Sequence, residues 1–432
     1  MCSSDLTSTF VAYPAGLSFS NLPTSFVAGD KFAVRLSAVN ASGNTTPNFG
    51  KESSATDYVR VGWTKAKPTG SATVSGTFTG TGTSSSPSLS ASAFSNNQGS
   101  VNLSDLLWTE VGYGDLSAAL VSGVYQGVSL ATSTTGSSGA VGPFVPAYFN
   151  VSVTPGCNTF TYSGQPFTTT VTAVNALGAT TQNFDGSSNS SPTQAMATTL
   201  SALNGASSLG SLETTSLSAS AFSQGVATLS TQRFTYTSKV TGASTLGVRA
   251  KASPQVTSES HTEGTTVLRS GRLRVSNGFG STQQNLVLSV QAHYWNGQAW
   301  VLNDADSCTT LPASAVAVGT PTDFQGNTAS WTTRASAISL LQGKGSLTLI
   351  APSSGQSGTV FVALNLGSTS TDASCLTTHP TSTGAGLAWL RSLNGSTGTC
   401  TSTDYARDPS AKASFGVYQP ESKRTIYHGE IY

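Results

Sequence analysis

The sequence predicts an all-β protein: tandem immunoglobulin-like β-sandwich repeats followed by a C-terminal β-rich domain. Three observations predict it. Apolar and polar residues alternate along short segments, the period of a strand with one buried face. One set of segments occurs twice in the same order. Clusters of Ser, Thr, Asn and Gly separate the segments, and these residues favour turns.

The first repeat is assigned to residues 7–143. Phe32, Val34 and Leu36 alternate with Ala33, Arg35 and Ser37, so one face meets a core. The second repeat is assigned to 144–266, with the boundary near Phe144-Val145-Pro146-Ala147. Here Phe167, Thr169 and Val171 take the places of Phe32, Val34 and Leu36. Asn48-Phe49 returns in register as Asn183-Phe184, and residues 88–95 return letter for letter at 216–223. Stretches 80–87 and 186–192 carry no apolar pattern and read as long exposed loops. Beyond them, residues 267–432 form the third, β-rich domain, with strands expected at 273–276, 286–294, 346–350, 359–366, 414–418 and 425–427.

Composition narrows the function classes. Only 9% of the 432 residues are charged, against roughly a quarter in an average domain. The net charge is +1, which gives no electrostatic case for nucleic acid or an acidic membrane. Solubility rests on hydroxyls and amides, the habit of exported β-proteins. The 18 Phe, 12 Tyr and 6 Trp argue against a disordered chain, because each segment has something to bury. No apolar run has the length of a membrane helix. No signal peptide is visible; residues 1–6 read as foreign, adapter-derived sequence, and an N-terminus ahead of them as missing. The expected location is extracellular or cell-surface.

The third domain carries specific wording. Gly271-Arg272-Leu273-Arg274-Val275-Ser276-Asn277-Gly278-Phe279-Gly280 is followed by Tyr294-Trp295-Asn296-Gly297, Trp300, Asn303 and Asp306-Ser307-Cys308-Thr309. Trp389-Leu390, Asp408-Pro409-Ser410-Ala411 and Ile426-Tyr427 come later, and Cys157 with Phe160-Thr161-Tyr162-Ser163-Gly164-Gln165 stands upstream. Together these resemble the C-terminal region of the MSHA (mannose-sensitive haemagglutinin) type IV pilus biogenesis protein Q family. The resemblance implies a Gram-negative surface protein tied to a type IV pilus, with pilus subunits or other surface proteins as partners. It brings no catalytic residues and no cofactor. The residues themselves leave a second reading open, a surface adhesin that binds glycans without a pilus.

Chemistry-bearing residues are scattered. The four histidines lie far apart, and no nucleophile elbow, Walker loop or dinucleotide fingerprint occurs, so no catalytic residue is assigned. Asp304 and Asp306 are the best metal candidate, since carboxylates at alternate loop positions can share calcium; an Asx-turn ending a strand explains the run as well. Trp295 and Trp300 straddle an Asn296-Gly297 hairpin turn and are the candidate ligand-contact aromatics. His293 and the row Arg269, Arg272 and Arg274 read as solvent-facing strand residues. With Cys2 set aside as foreign, four cysteines allow three connectivities. Cys375 with Cys400 is the first pairing, because both lie in one domain. A loop of about 25 residues adds roughly 3 kcal/mol in the chain-entropy model. Cys157 and Cys308 would then join the second repeat to the third domain.

Overall fold

The computed structural model describes residues 11–52, 57–80, 86–121, 123–252, 256–352, 355–371, 373–374, 376, 381–392 and 406–416. These form an all-β chain of mainly antiparallel sheets with a few short 3-10 turns. The buried apolar residues gather into three clusters, one after another along the sequence.

In the first repeat, Gly16–Ser20, Lys31–Val39, Ser100–Trp108 and Phe78–Thr79 make one sheet. Phe26–Val27, Thr135–Val145, Gly112–Leu120, Tyr58–Lys67 and Ser88–Ser90 make the other. Phe32, Val34 and Leu36 point into the space between them, as their alternation requires. Ser37, on the opposite face, is buried too: its Oγ sits 2.9 Å from that of Ser100 on the neighbouring strand. Phe94, Trp108 and Phe144 fill the same core. Each such side chain contributes about 1.5–3 kcal/mol on burial.

The second repeat reproduces the arrangement. Tyr148–Thr154, Phe167–Val174 and Val226–Gln232 face a sheet of Phe160–Tyr162, Thr265–Arg269, Ser244–Lys251, Thr198–Leu203 and Ser216–Leu217. In both repeats a short early strand runs parallel to the last one: Phe26–Val27 along Phe144 and Val145, and Phe160–Tyr162 along Val267 to Arg269. Each last strand thus ends slightly beyond 143 and 266, the limits read from the sequence.

In the third domain Gly271–Val275, Leu286–Trp295, Trp300–Leu302 and Lys344–Leu349 form one sheet. Gly278–Gly280, Ser410–Phe415, Gly358–Leu364 and Val316–Val318 form another. The last described strand begins at Ser410 rather than 414, because Asp408 anchors the turn before it. Its carboxylate pairs with Arg391 and accepts from Leu366 N and Ala373 N. The strand expected at 425–427 lies outside the described residues, as do Cys375 and Cys400.

Candidate functional site: two joints between modules

The side chains singled out by burial and polarity meet where one module ends and the next begins. At the first joint, the end of repeat one enters repeat two. Ala28 and Val111 are fully buried in the core of the second repeat rather than the first. Around them the polar groups interlock. Ala176 N donates to Ala28 O at 2.9 Å, and Asn175 Nδ2 donates to Thr109 O at 2.9 Å. Asn183 exchanges a pair of hydrogen bonds with the Val74 backbone, at 2.8 and 2.9 Å. Glu110 accepts from Gln182 N and Asn183 N, both at 3.0 Å. Burial pushes its carboxyl above the usual range, against those amides and the nearby Lys65 ammonium. The segment read as the exposed loop 186–192 is part of this joint: Ser191 and Thr69 exchange backbone hydrogen bonds at 2.8 and 2.9 Å. A backbone edge facing another edge has no need of apolar residues, so its role left no apolar signature.

The second joint is covalent. Cys157 and Cys308 form a disulfide with Cα atoms 5.7 Å apart, so these two cysteines are partners. Cys157, Phe160 and Tyr162 belong to the core of the third domain although they lie in the second repeat. Beside the bond sits Asp306, fully buried. It accepts from Tyr162 OH (2.8 Å), Thr309 N (3.0 Å), Thr309 Oγ1 (2.8 Å) and Cys308 N (3.2 Å). Asn303 Nδ2 donates to the Tyr162 oxygen at 2.6 Å, and Arg269 donates to Asn303 Oδ1. Burial, then the Asp306 carboxylate, holds the Tyr162 hydroxyl well above its ordinary pKa. The ring is therefore a neutral donor.

This geometry reassigns several residues. Asp304 is exposed while Asp306 points inward, so the two do not converge on a cation. Asp306 instead closes an Asx-turn, accepting from the amides two and three residues on. Cys157, Asp306 and Cys308 bring ligand-type atoms within 4.8 Å of one another. The sulfurs are bonded to each other, so no thiolate is available to a metal. Arg269 is not on a solvated face: its guanidinium lies 5.0 Å from the Phe160 ring centre and 4.4 Å from that of Tyr294. His293 is buried between Arg272 and Leu302 in the sheet register. Burial, Arg272 and Arg274 lower its pKa.

Trp295 and Trp300 face each other across their hairpin, ring centres 5.7 Å apart, both half-buried. The Arg272 guanidinium lies 4.5 Å from the Trp300 ring centre. The hairpin tip is exposed and runs close to Gly242 of the second repeat, where an added Cβ would lie 3.4 Å from Gly297 Cα. Nearby, a cavity of about 400 Å³ is lined by Arg233, Thr235, Tyr236, Lys239 and Trp389. Lys239 Nζ donates to Trp389 O, and burial pushes its pKa down to about 7.

The buried carboxylates of the described residues are Asp57, Glu110, Asp185, Asp306 and Asp408. Each accepts local or inter-module hydrogen bonds. Reasoning from sequence missed Glu110, Tyr162, Asn303 and Lys239. The Asn183 role had one signal, the return of Asn48-Phe49 at the same register.

No described helix is long and apolar enough to cross a membrane. No curated protein matches the chain. Among solved structures, a tetra-tandem repeat from the extending region of a large adhesion protein aligns at 14% identity over 93% of this chain and 74% of that one, TM-score 0.26. The ICAM-5 D1–D4 ectodomain fragment aligns at 12% identity over 82% and 71%, TM-score 0.24. Mouse cadherin-23 EC22–24 aligns at 8% identity over 93% and 97%, TM-score 0.24. Overlaps this loose carry no functional argument. Residues 110–256 match the third domain of DUF6701 and residues 269–431 match its fourth, consecutive domains of one family that together span the greater part of the chain.

Proposed function

We propose that this is an exported, non-enzymatic surface protein associated with a type IV, MSHA-like pilus. The two repeats act as a stalk, and the third domain docks on pilus subunits or other surface proteins. The observation that carries this reading is the second joint, where a disulfide closes one module onto the next. Such bonds form and persist in oxidising compartments outside the cytosol. A chain that buries Glu110 and Asp306 in its joints is suited to holding a fixed spacing rather than to turnover. The pilus assignment itself rests on the wording of the third domain.

Immunogold labelling with antibody against residues 267–432, on a piliated strain expressing the gene, tests it. Gold on pilus fibres or their tips is expected. Gold on the cell surface and never on pili would sink the pilus assignment. A second reading, glycan adhesion without a pilus, is favoured by the cavity that sets Trp389 beside Arg233 and Lys239. Binding of the isolated chain to a glycan array would support it, and a blank array would oppose it.

A further inference from the structure

The two repeats share a receiving surface, and only one is covered in the described structure. In the second repeat it consists of the turn at Asn175 and the segment through Asn183, and it is closed by the end of the first repeat. Asn175 and Asn183 are 1% and 0% exposed there. In the first repeat the same turn is built from Asn40, whose Oδ1 accepts from Ser42 N and Asn44 N, as Asn175 Oδ1 accepts from Leu177 N and Ala179 N. Gly43 and Gly178 both take positive φ, +80° and +86°. Yet Asn40 and Asn48 are exposed. Where Ala28 and Val111 seal the second repeat, the first has a cavity of about 260 Å³, lined by Tyr13, Asn40, Thr46, Pro47, Asn48 and Phe49. At its edge, Glu52 Oε2 is buried and has no hydrogen-bond partner among the described residues.

Both joints of this chain are made one way: the end of one module enters the core of the next. The end of the first repeat is taken by the second repeat, and the end of the second by the third domain. We infer that the exposed head of the first repeat, around Asn40 and Asn48, is the receiving half of a third such joint, and that its occupant is the end of a further β-sandwich module on its N-terminal side in the same polypeptide. The family numbering is in keeping with this: residues 110–256 match a domain that is third in its family's order. The receiving surface sets the chemistry of the occupant. It must offer small aliphatic residues like Ala28 and Val111 to the cavity, and a backbone carbonyl to Asn40 Nδ2. Pro47 stands where the second repeat has Gln182, so one N–H of the carboxylate clamp is absent. An acceptor in the place of Glu110 meets the single N–H of Asn48.

The inference does not depend on the pilus assignment. Its test is hydrogen exchange with mass spectrometry on two proteins, the 432-residue chain and the complete polypeptide encoded by the natural gene. Peptides over residues 40–52 are expected to exchange at least tenfold more slowly in the complete polypeptide, while peptides over 175–187 stay unchanged as the internal reference. In the complete polypeptide, Asn48→Arg is expected to restore fast exchange at 40–52, because the larger side chain cannot fit a closed joint. Equal rates at 40–52 in the two proteins would overturn the inference. So would an Asn48→Arg variant that stays protected, or a natural polypeptide with no β-module ahead of residue 11.

Discussion

At the scale of single residues, Asp306 is the group on which the second joint turns. Replacing it with Ala leaves the Tyr162 and Thr309 hydroxyls buried without their acceptor. Such a loss costs about 1–3 kcal/mol per stranded group. Asp306→Ala should therefore lower the stability of the third domain by about 3 kcal/mol, and Tyr162→Phe by about 1 kcal/mol, measured on that domain's urea transition. Lys239 gives a pH signature. Its pKa is lowered from 10.5 to about 7 by burial, so between those values the unfolded chain binds more protons than the folded one. Stability then rises with pH from about 7 toward 10.5. Below 7 the lysine is charged in both states and the full cost of burying the charge is present. Lys239→Met should flatten this slope in denaturation curves recorded at successive pH values. The sequence singled out Asp306 but not its place in a joint, and it did not single out Lys239. Tyr162 and Asp306 lie 144 positions apart, and a lone Lys in a Ser- and Thr-rich stretch has no periodic neighbours to place it.

At the scale of elements, the strands were the legible part. Period-two alternation fixes which side chains enter the core, and Phe32, Val34 and Leu36 do so as expected. The turns carry constraints that alternation cannot show. Gly99 and Gly225 hold equivalent places ahead of the strands Ser100–Trp108 and Val226–Gln232, both at φ +82°. A Cβ there would sit 2.0 Å from Thr46 O in the first case and 2.5 Å from Thr181 O in the second. Gly225→Ala is expected to cost about 2 kcal/mol or more, read as a lowered melting temperature of the second repeat. Elements that meet another module misled the reading most. The 186–192 loop looked exposed because a backbone-to-backbone contact requires no apolar residues. Arg269 looked solvated because its partners Phe160 and Asn303 come from segments far away in sequence. His293 was misread as well: it is buried beside Arg272 and Leu302, its partners on the neighbouring strands.

At the scale of the whole molecule, the Cys157–Cys308 bond joins points separated by 151 residues. In the chain-entropy model, closing a ring of that size disfavours the unfolded state by about 5 kcal/mol. Paired Cys157→Ser and Cys308→Ser substitutions should leave the first repeat intact and loosen the second joint. Faster hydrogen exchange over residues 157–165 would record this, and unchanged exchange there would mean that the Tyr162–Asp306 contact holds the joint alone. The bond also governs how the protein bears a mechanical load. Tension applied along the chain reaches Cys157 and crosses directly to Cys308, so nearly all of the second repeat lies off the loaded path. About 150 residues would pay out roughly 500 Å if drawn straight. While the sulfurs stay joined, that slack is locked away, and the chain pulled from both ends stops lengthening well short of its contour.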